Sequence, residues 1–337
     1  MKKFTLVSTV FNEAKRLDES LQELENQTLK PDETIIVDAG STDGTVEKLN
    51  AAAQNLHINL KVIIEKGCTV AQGRNLAIKN ASNNLIVSTD FGCKYKKDWL
   101  ESLLKHFDEK DVEVVGGAFL VNEDEVDTLA AKADFIIQNG YRINFDETFS
   151  VSSRSIAYYK YVWQKIGGYP EWLTLAADDT IFWRQIKKHG FKYVIDQRPL
   201  VYWNRHKTAT QFAKEAGRYG LGDGESGINY KNFLSSLAET LTRYSIIPFT
   251  IFFILIPAPY KKIFWPFFIF LAFGLRSYKN VVKNMLSLQD NKYNWKNLPM
   301  CFYMIETQRI AYIKNYFKGM FSKRREVIEA RKRLDVK

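Results

Sequence analysis

The sequence predicts an α/β domain with a mostly parallel central sheet over residues 1–232, followed by a helical, membrane-associated region over residues 233–337. Short β-branched apolar runs alternate with segments of helical period from residue 4 to residue 121, the pattern of βαβ units. The runs are nearly unbroken in apolar residues, as in a sheet covered on both faces. After about residue 240 the charges thin out and aromatic residues crowd together.

Phe4–Val10 reads as a first strand, and Leu17, Leu21 and Leu24 recur at helical spacing behind it. A second strand over 34–37 stops at Asp38-Ala39-Gly40. Ser41-Thr42-Asp43-Gly44 then supplies capping residues for a helix through Leu49. Leu60–Ile64 is a third strand and 70–81 a helix. A fourth strand over 85–89 ends at Asp90, 98–107 reads as helix and 112–120 as extended. Residues 122–232 are less regular and read as the second half of the same domain, with a helix over 178–189. The glycine-dense run 217–224 reads either as a mobile loop over a ligand or as a plain connection.

Hydrophobic residues make up 46% of the 337 and charged residues 26%, so the chain can bury a core and is not a disordered tail. A net charge of +10 suits an anionic partner such as lipid, nucleic acid or a phosphorylated substrate. No nucleic-acid module signature accompanies that charge, and nucleic acid is not expected as a partner. Cys68, Cys93 and Cys301 lie far apart with no Cys-x-x-Cys pair, which argues against a disulfide framework or a zinc finger. Met1-Lys2-Lys3 and the short run after it meet Asn12-Glu13 too soon for a signal peptide.

Between Tyr244 and Leu275 the only charges are Lys261 and Lys262, and eleven residues are Phe, Trp or Tyr. The apolar pieces on either side of the lysines are shorter than the ~20 residues of a full span, and Pro248, Pro257, Pro259 and Pro266 interrupt them. A re-entrant or interfacial helical hairpin over 244–275 is expected, with Lys261 and Lys262 near its turn. Two short tilted spans, or the core hairpin of a soluble protein, are the alternatives. Lys323, Arg324, Arg325, Arg331, Lys332, Arg333 and Lys337 face only Glu326, Glu329 and Asp335. Such a basic tail attracts anionic lipid and places these ends on the cytoplasmic side of the membrane.

Asn12-Glu13, Asp38 and Asp90 all fall at or just after strand ends, where open α/β sheets bind their ligands. A downstream pair, Asp178-Asp179, stands at the start of a helix. One such Asp is usually a turn or cap residue. Clustered carboxylates repel one another and usually hold a cation or bind hydroxyls and amides. Neither a P-loop nor a Gly-x-Gly-x-x-Gly fingerprint follows the first strand.

Val7-Ser8-Thr9-Val10-Phe11-Asn12-Glu13 and Ile36-Val37-Asp38-Ala39-Gly40-Ser41-Thr42-Asp43-Gly44-Thr45 resemble the family 2 glycosyltransferases. Gly73-Arg74-Asn75, Ser88-Thr89-Asp90, Gly167-Gly168-Tyr169-Pro170-Glu171 and Ala177-Asp178-Asp179-Thr180 continue the match in order, so that it covers roughly residues 4–225. The resemblance implies the glycosyltransferase A fold and transfer from a nucleotide-diphosphate sugar with inversion at the anomeric carbon. It implies that Thr9, Phe11 and Glu13 line the nucleoside pocket, that Asp38 accepts hydrogen bonds from the base, and that Arg74 approaches the base or the diphosphate. Asp90 becomes the first carboxylate of the family's Asp-x-Asp motif, which holds the donor ribose and a divalent metal, Mg²⁺ or Mn²⁺. Asp179 becomes the catalytic base, with Asp178 where the family usually has Glu. Asp43 is left as a helix cap.

The chain departs from the family pattern in two places. Gly92 stands where the second metal-binding Asp is usual, so the metal set reduces to Asp90, with His206 as a further ligand for metal or diphosphate. Arg205, Lys207 and Arg218 are the other cations expected to balance the leaving group. A Gln-x-x-Arg-Trp motif is also lacking, which argues for one sugar per encounter rather than processive polymerisation. The expected enzyme is a membrane-associated, non-processive inverting glycosyltransferase at the cytoplasmic face of the cell membrane. Its partners would be a nucleotide-sugar donor, a lipid-linked or surface-glycan acceptor and membrane lipid. The alternatives are transfer to a polyprenyl phosphate, as in dolichyl-phosphate mannose synthases, and a non-catalytic nucleotide-sugar-binding scaffold.

Overall fold

A computed structural model describes residues 2–145, 149–257 and 266–334. In chain order the elements are β1 (Phe4–Val10), α1 (Ala14–Glu25), β2 (Glu33–Asp38), α2 (Thr45–Asn55), β3 (Leu60–Ile64), α3 (Val70–Asn80), β4 (Leu85–Ser88), β5 (Cys93–Tyr95), α4 (Trp99–Lys105), β6 (Val114–Val121), α5 (Leu129–Ile137), β7 (Ile156–Tyr159), α6 (Lys160–Ile166), α7 (Asp178–Lys188) and β8 (Tyr193–Trp203). Helices follow: α8 (Ala209–Ser226), α9 (Tyr230–Leu255), α10 (Pro266–Gly274), α11 (Arg276–Ser287), α12 (Leu298–Met320) and α13 (Arg325–Leu334).

Two compact units divide the chain: Met1–Glu125 with Ile143–Arg205, and Val126–Arg142 with His206–Lys337. The first holds the sheet, ordered β3-β2-β1-β4-β7-β6-β8-β5. From β3 to β4 the strands are parallel, while β7 runs antiparallel to both β4 and β6, and β5 antiparallel to β8. The sheet is therefore mixed, with its parallel half carrying the early strands that the sequence pattern marks. Both faces of β1 are buried. Val7 packs with Ile35, Val37, Ile86 and Phe182 on one side, and Phe4 and Leu6 pack with Val87, Trp99, Leu100 and Leu103 on the other. That two-sided burial is the physical reason the strands are apolar throughout. In α1 the residues at helical spacing, Leu17, Leu21 and Leu24, are the buried ones. A capping box, Thr69 with Gln72, starts α3.

The second unit is helical, and it begins at residue 206 and includes 126–142, where the sequence pattern put the boundary between 232 and 233. The reason lies in α8. Its glycines form the face on which α12 packs: a Cβ at Gly220 would stand 2.3 Å from the Tyr312 carbonyl oxygen, and one at Gly224 2.2 Å from that of Tyr316. So the run 217–224 is neither a loop nor a bare connection but the middle of an 18-residue helix. The apolar segment from 244 continues a helix that already starts at Tyr230, and Pro248 sits inside it without ending it. At 26 residues, α9 is long and apolar enough to cross a membrane. Lys261 and Lys262, expected at a hairpin turn, Pro259 beside them, and Asp335 and Lys337 of the tail lie outside the described residues.

Candidate active site

Three parallel strands, β2, β1 and β4, bring their carboxyl ends to one edge of the sheet, with Asp38 paired in register to Val10. The loops after β1 and β2 are tied to each other. Asn12 N–H donates to Ser41 Oγ at 2.8 Å and the Thr42 N–H to Asn12 Oδ1 at 2.9 Å, with Asn12 in the left-handed region at φ 56. Asp43 accepts from the Thr45 hydroxyl at 2.6 Å and from the Ala14 N–H at 3.1 Å; it ties together the starts of two helices, although the cap position of α2 is Gly44 and not Asp43. Thr9 lies against Gly73, where a Cβ would come 2.7 Å from Thr9 Cγ2. Hence α3 approaches β1 closely only because residue 73 has no side chain. Phe11 is exposed and Glu13 half-buried. Burial pushes the Glu13 carboxyl up, against Arg16, and the charges of Asp43 and Asp90 add to the rise.

Asp38 is fully buried. Its Oδ1 accepts from the N–H groups of Gly40 and Ser41, both at 2.8 Å. Its Oδ2 is buried without a hydrogen-bond partner among the described residues. An orphaned carboxylate oxygen inside a protein is costly, and at a strand end it is an acceptor waiting for a donor from outside.

Arg74, on α3, is the hub of the acids. One guanidinium nitrogen donates to Asp178 and another to Asp90. Burial works against its charge, but Asp90 and Asp178 outweigh burial and hold the guanidinium above its usual range. The sequence-based expectation put Arg74 on the base or the diphosphate; here both its terminal nitrogens are occupied by carboxylates. At Asp90 burial also opposes ionisation, yet Arg74 and Arg154 prevail and keep the carboxyl below its usual range.

Asp178 and Asp179 stand in the first turn of α7 after Ala177, a non-glycine residue in the left-handed region at φ 73. This turn aims both carboxylates at the cluster, and the helix dipole favours negative charge there. Asp178 is buried and its pKa is pushed up to about 6, first by burial, against Arg74, with Asp179 and Asp90 adding to it. Asp179 is half-buried and accepts from the Ser152 hydroxyl at 3.0 Å. Ser152 in turn accepts from Arg154 Nη1 at 2.9 Å, and Arg154 Nε lies 4.0 Å from Asp90 Oδ2.

Asn75, next to Arg74, fixes the glycine turn before α7. Its Oδ1 accepts from the Tyr169 N–H and from the Trp163 indole, both at 2.8 Å, while its Nδ2 donates to Tyr169 O and to Glu171. Ser152, Arg154 and Asn75 were missing from the sequence-derived site. Asn75 had a signal in the Gly73-Arg74-Asn75 run; Ser152 and Arg154 lie in an irregular stretch whose role only tertiary packing reveals.

The metal expectation rests on Asp90 and His206. His206 belongs to the second unit, where its Nε2 is 3.7 Å from Glu215 Oε1. Gly92 offers no side-chain ligand, both Asp90 oxygens face guanidinium groups, and among the described residues no group of three His, Cys, Asp or Glu side chains is placed to hold a metal ion. Hard cations want several oxygen ligands, and the described residues alone do not complete a divalent-ion site. Of the other expected cations, Arg205 stacks 4.0 Å over Trp203 and Lys207 pairs with Asp127 at 2.7 Å.

The first unit has the α/β fold of the glycosyltransferase A class, with a mixed sheet. The chain is similar over 94% of its length to the mannosyltransferase PcManGT from Pyrobaculum calidifontis in complex with GDP-Man and Mn²⁺, covering 88% of that chain at a TM-score of 0.55 and 17% identity. Residues 5–166 match glycosyl transferase family 2. Over 206 residues the chain is 27% identical to the O-antigen chain rhamnosyltransferase WbaN of Salmonella anatum, covering 57% of this chain and 63% of that protein. It is 32% identical over 124 residues to the glycosyltransferase GlyG of Streptococcus pneumoniae serotype 4, covering 36% and 40%. The chain thus spans less than two thirds of the length of either relative.

Proposed function

We propose that this chain is a non-processive glycosyltransferase that moves one sugar from a nucleotide-diphosphate donor onto an acceptor hydroxyl with inversion. The observation that supports this best is the convergence of Asp38, Asp90, Asp178 and Asp179 on the carboxyl edge of the sheet, with the buried Asp38 Oδ2 lacking a partner. That oxygen suits an N–H of a nucleobase, and Thr9, Phe11 and Glu13 would flank the nucleoside. Asp90 suits the ribose hydroxyls.

A sugar hydroxyl has a high pKa and needs a positioned carboxylate to take its proton as it attacks. Asp179 is the more open of the acidic pair, and the Ser152 hydroxyl orients it. Asp178 is buried against Arg74 and would position the cluster rather than meet the acceptor. As the acceptor oxygen bonds to the anomeric carbon from the opposite face, the bond to the diphosphate breaks and its electron pair leaves with the nucleotide. The apolar α9 and the O-antigen rhamnosyltransferase among the relatives favour a lipid-linked or surface-glycan acceptor at the cytoplasmic face of a membrane.

A thermal-shift screen of UDP-, GDP- and dTDP-sugars should find one donor that raises the melting temperature. With that donor, Asp179→Asn should bind normally and turn over ~10²–10⁴-fold more slowly. The reading fails if no donor binds, or if Asp179→Asn transfers sugar to a hydroxyl at the wild-type rate. Unimpaired transfer to a polyprenyl phosphate instead would favour the phosphate-acceptor alternative.

A further inference from the structure

We propose that Arg154 supplies the positive charge for the donor diphosphate, so that this chain binds its donor and releases the nucleotide without a divalent ion. The inference rests on the glycosyltransferase reading above and adds the means by which the leaving group is stabilised. When the anomeric bond breaks, negative charge gathers on the diphosphate, and a preorganised cation must meet it. Among the described residues the ligand set for a metal is incomplete: Gly92 has no side chain, and each oxygen of Asp90 faces a guanidinium, Arg74 on one and Arg154 on the other.

Of those two arginines, Arg154 is the more exposed. Arg74 is 4% exposed, and two of its nitrogens are taken by Asp90 and Asp178. Arg154 has a side chain 17% exposed beside an Asp90 side chain that is 31% exposed, so the pair opens toward solvent at the strand edge. Its guanidinium lies over the Trp203 ring at 4.1 Å and near Phe119 at 5.4 Å. Its backbone carbonyl accepts from the Thr89 hydroxyl at 2.9 Å, one residue before Asp90. Aromatic stacking and a tethered backbone fix a planar fork whose geometry matches phosphate oxygens, and a charge-assisted pair of this kind is stronger than a neutral one.

The placement also joins the two ends of the reaction. Ser152 Oγ accepts from Arg154 Nη1 at 2.9 Å and donates to Asp179 Oδ2 at 3.0 Å. One hydroxyl therefore spaces the proposed leaving-group cation from the proposed base. In the transfer step the acceptor oxygen bonds to the anomeric carbon and its proton passes to Asp179. The anomeric carbon–oxygen bond to the diphosphate breaks, and the electron pair stays on the diphosphate oxygen beside Arg154, which remains protonated throughout. Neither oxidant nor metal enters the balance.

Calorimetric titration of the full chain with UDP, GDP, uridine and guanosine, first in EDTA and then in Mn²⁺ or Mg²⁺, separates the possibilities. In EDTA, one diphosphate should bind about tenfold or more tightly than its own nucleoside. Arg154→Met should lose most of that margin and keep the nucleoside affinity, Arg154→Lys should retain part of it, and added metal should change the wild-type margin little. A margin that is absent in EDTA and created by Mn²⁺, equally in wild type and Arg154→Met, overturns the proposal while leaving a donor site in place. If neither nucleoside nor nucleotide binds under any condition, the glycosyltransferase reading itself fails. Should Arg154→Met not fold, the wild-type comparison in EDTA and the Arg154→Lys variant still decide.

Discussion

Asp178 shows how one residue sets opposing demands on folding and chemistry. Its carboxyl is pushed up to about 6 by burial, only partly offset by Arg74, whereas in the unfolded chain an Asp titrates near ~3.9. A raised folded pKa means that the folded chain holds this proton more tightly. This term therefore favours the fold below about pH 4 and fades as pH rises through 6, by on the order of 1–3 kcal/mol. Ionised Asp178, however, is the form that completes the Arg74 hub. Relative to Asp178→Asn, the wild type should lose melting temperature between pH 5 and 7, while its own kcat/KM rises over the same interval. Parallel pH curves for the two proteins, in both stability and turnover, would remove Asp178 from the hub. At this scale the acids were legible because Asp38 and Asp90 follow strands and Asp178-Asp179 opens a helix, places that periodicity marks. Arg154 was not, since its position is set by Trp203 from β8 and by Ser152, and nothing local in 143–155 announces either contact.

Glycine in a helix normally costs about 1 kcal/mol relative to alanine, so the glycines of 217–224 read from sequence as a loop. In α8 the close approach of α12 overrides that preference, because a side chain at Gly220 or Gly224 would enter backbone carbonyls of the facing helix. Gly217 differs: its nearest neighbour is the end of the Asn315 side chain at 3.0 Å, which can move aside. Gly220→Ala should therefore destabilise by about 1–3 kcal/mol through overpacking, whereas Gly217→Ala should be near neutral or slightly stabilising through helix propensity. Chemical denaturation monitored on the helical signal distinguishes them, and equal effects at the two positions would show that α8 and α12 do not meet on this glycine face. The early strands were predictable for the opposite reason. Burial on both faces writes itself into β1, β2 and β4 as continuous apolar runs, while the antiparallel turn to β7 leaves no such mark.

For the whole molecule, a net charge of +10 and a helix with apolar side chains exposed among the described residues lead to a prediction: the chain should bind an anionic bilayer. Ile247, Ile251, Ile254 and Leu255 of α9 are exposed at helical spacing, Leu255 by 75%, forming one apolar stripe. The basic tail contributes less than its composition implies. Arg331 donates to the carbonyl oxygens of Gly224, Glu225, Gly319 and Met320, and Arg325 pairs with Glu329. Lys323, Lys332 and Arg333 remain exposed for a lipid surface, at about 1 kcal/mol each in low salt. Flotation of the full chain with vesicles rich in phosphatidylglycerol should bring it to the lipid fraction. Replacing Ile247, Ile251 and Ile254 by Asn should reduce partition by at least about tenfold even in high salt, since each loses ~1.5–3 kcal/mol of apolar burial. Neutralising Lys323, Lys332 and Arg333 should weaken binding only at low salt, and Arg331→Gln should lower the melting temperature rather than vesicle binding. A wild-type chain that stays with the aqueous fraction on all vesicles would leave the α9 stripe needing a protein partner instead of lipid.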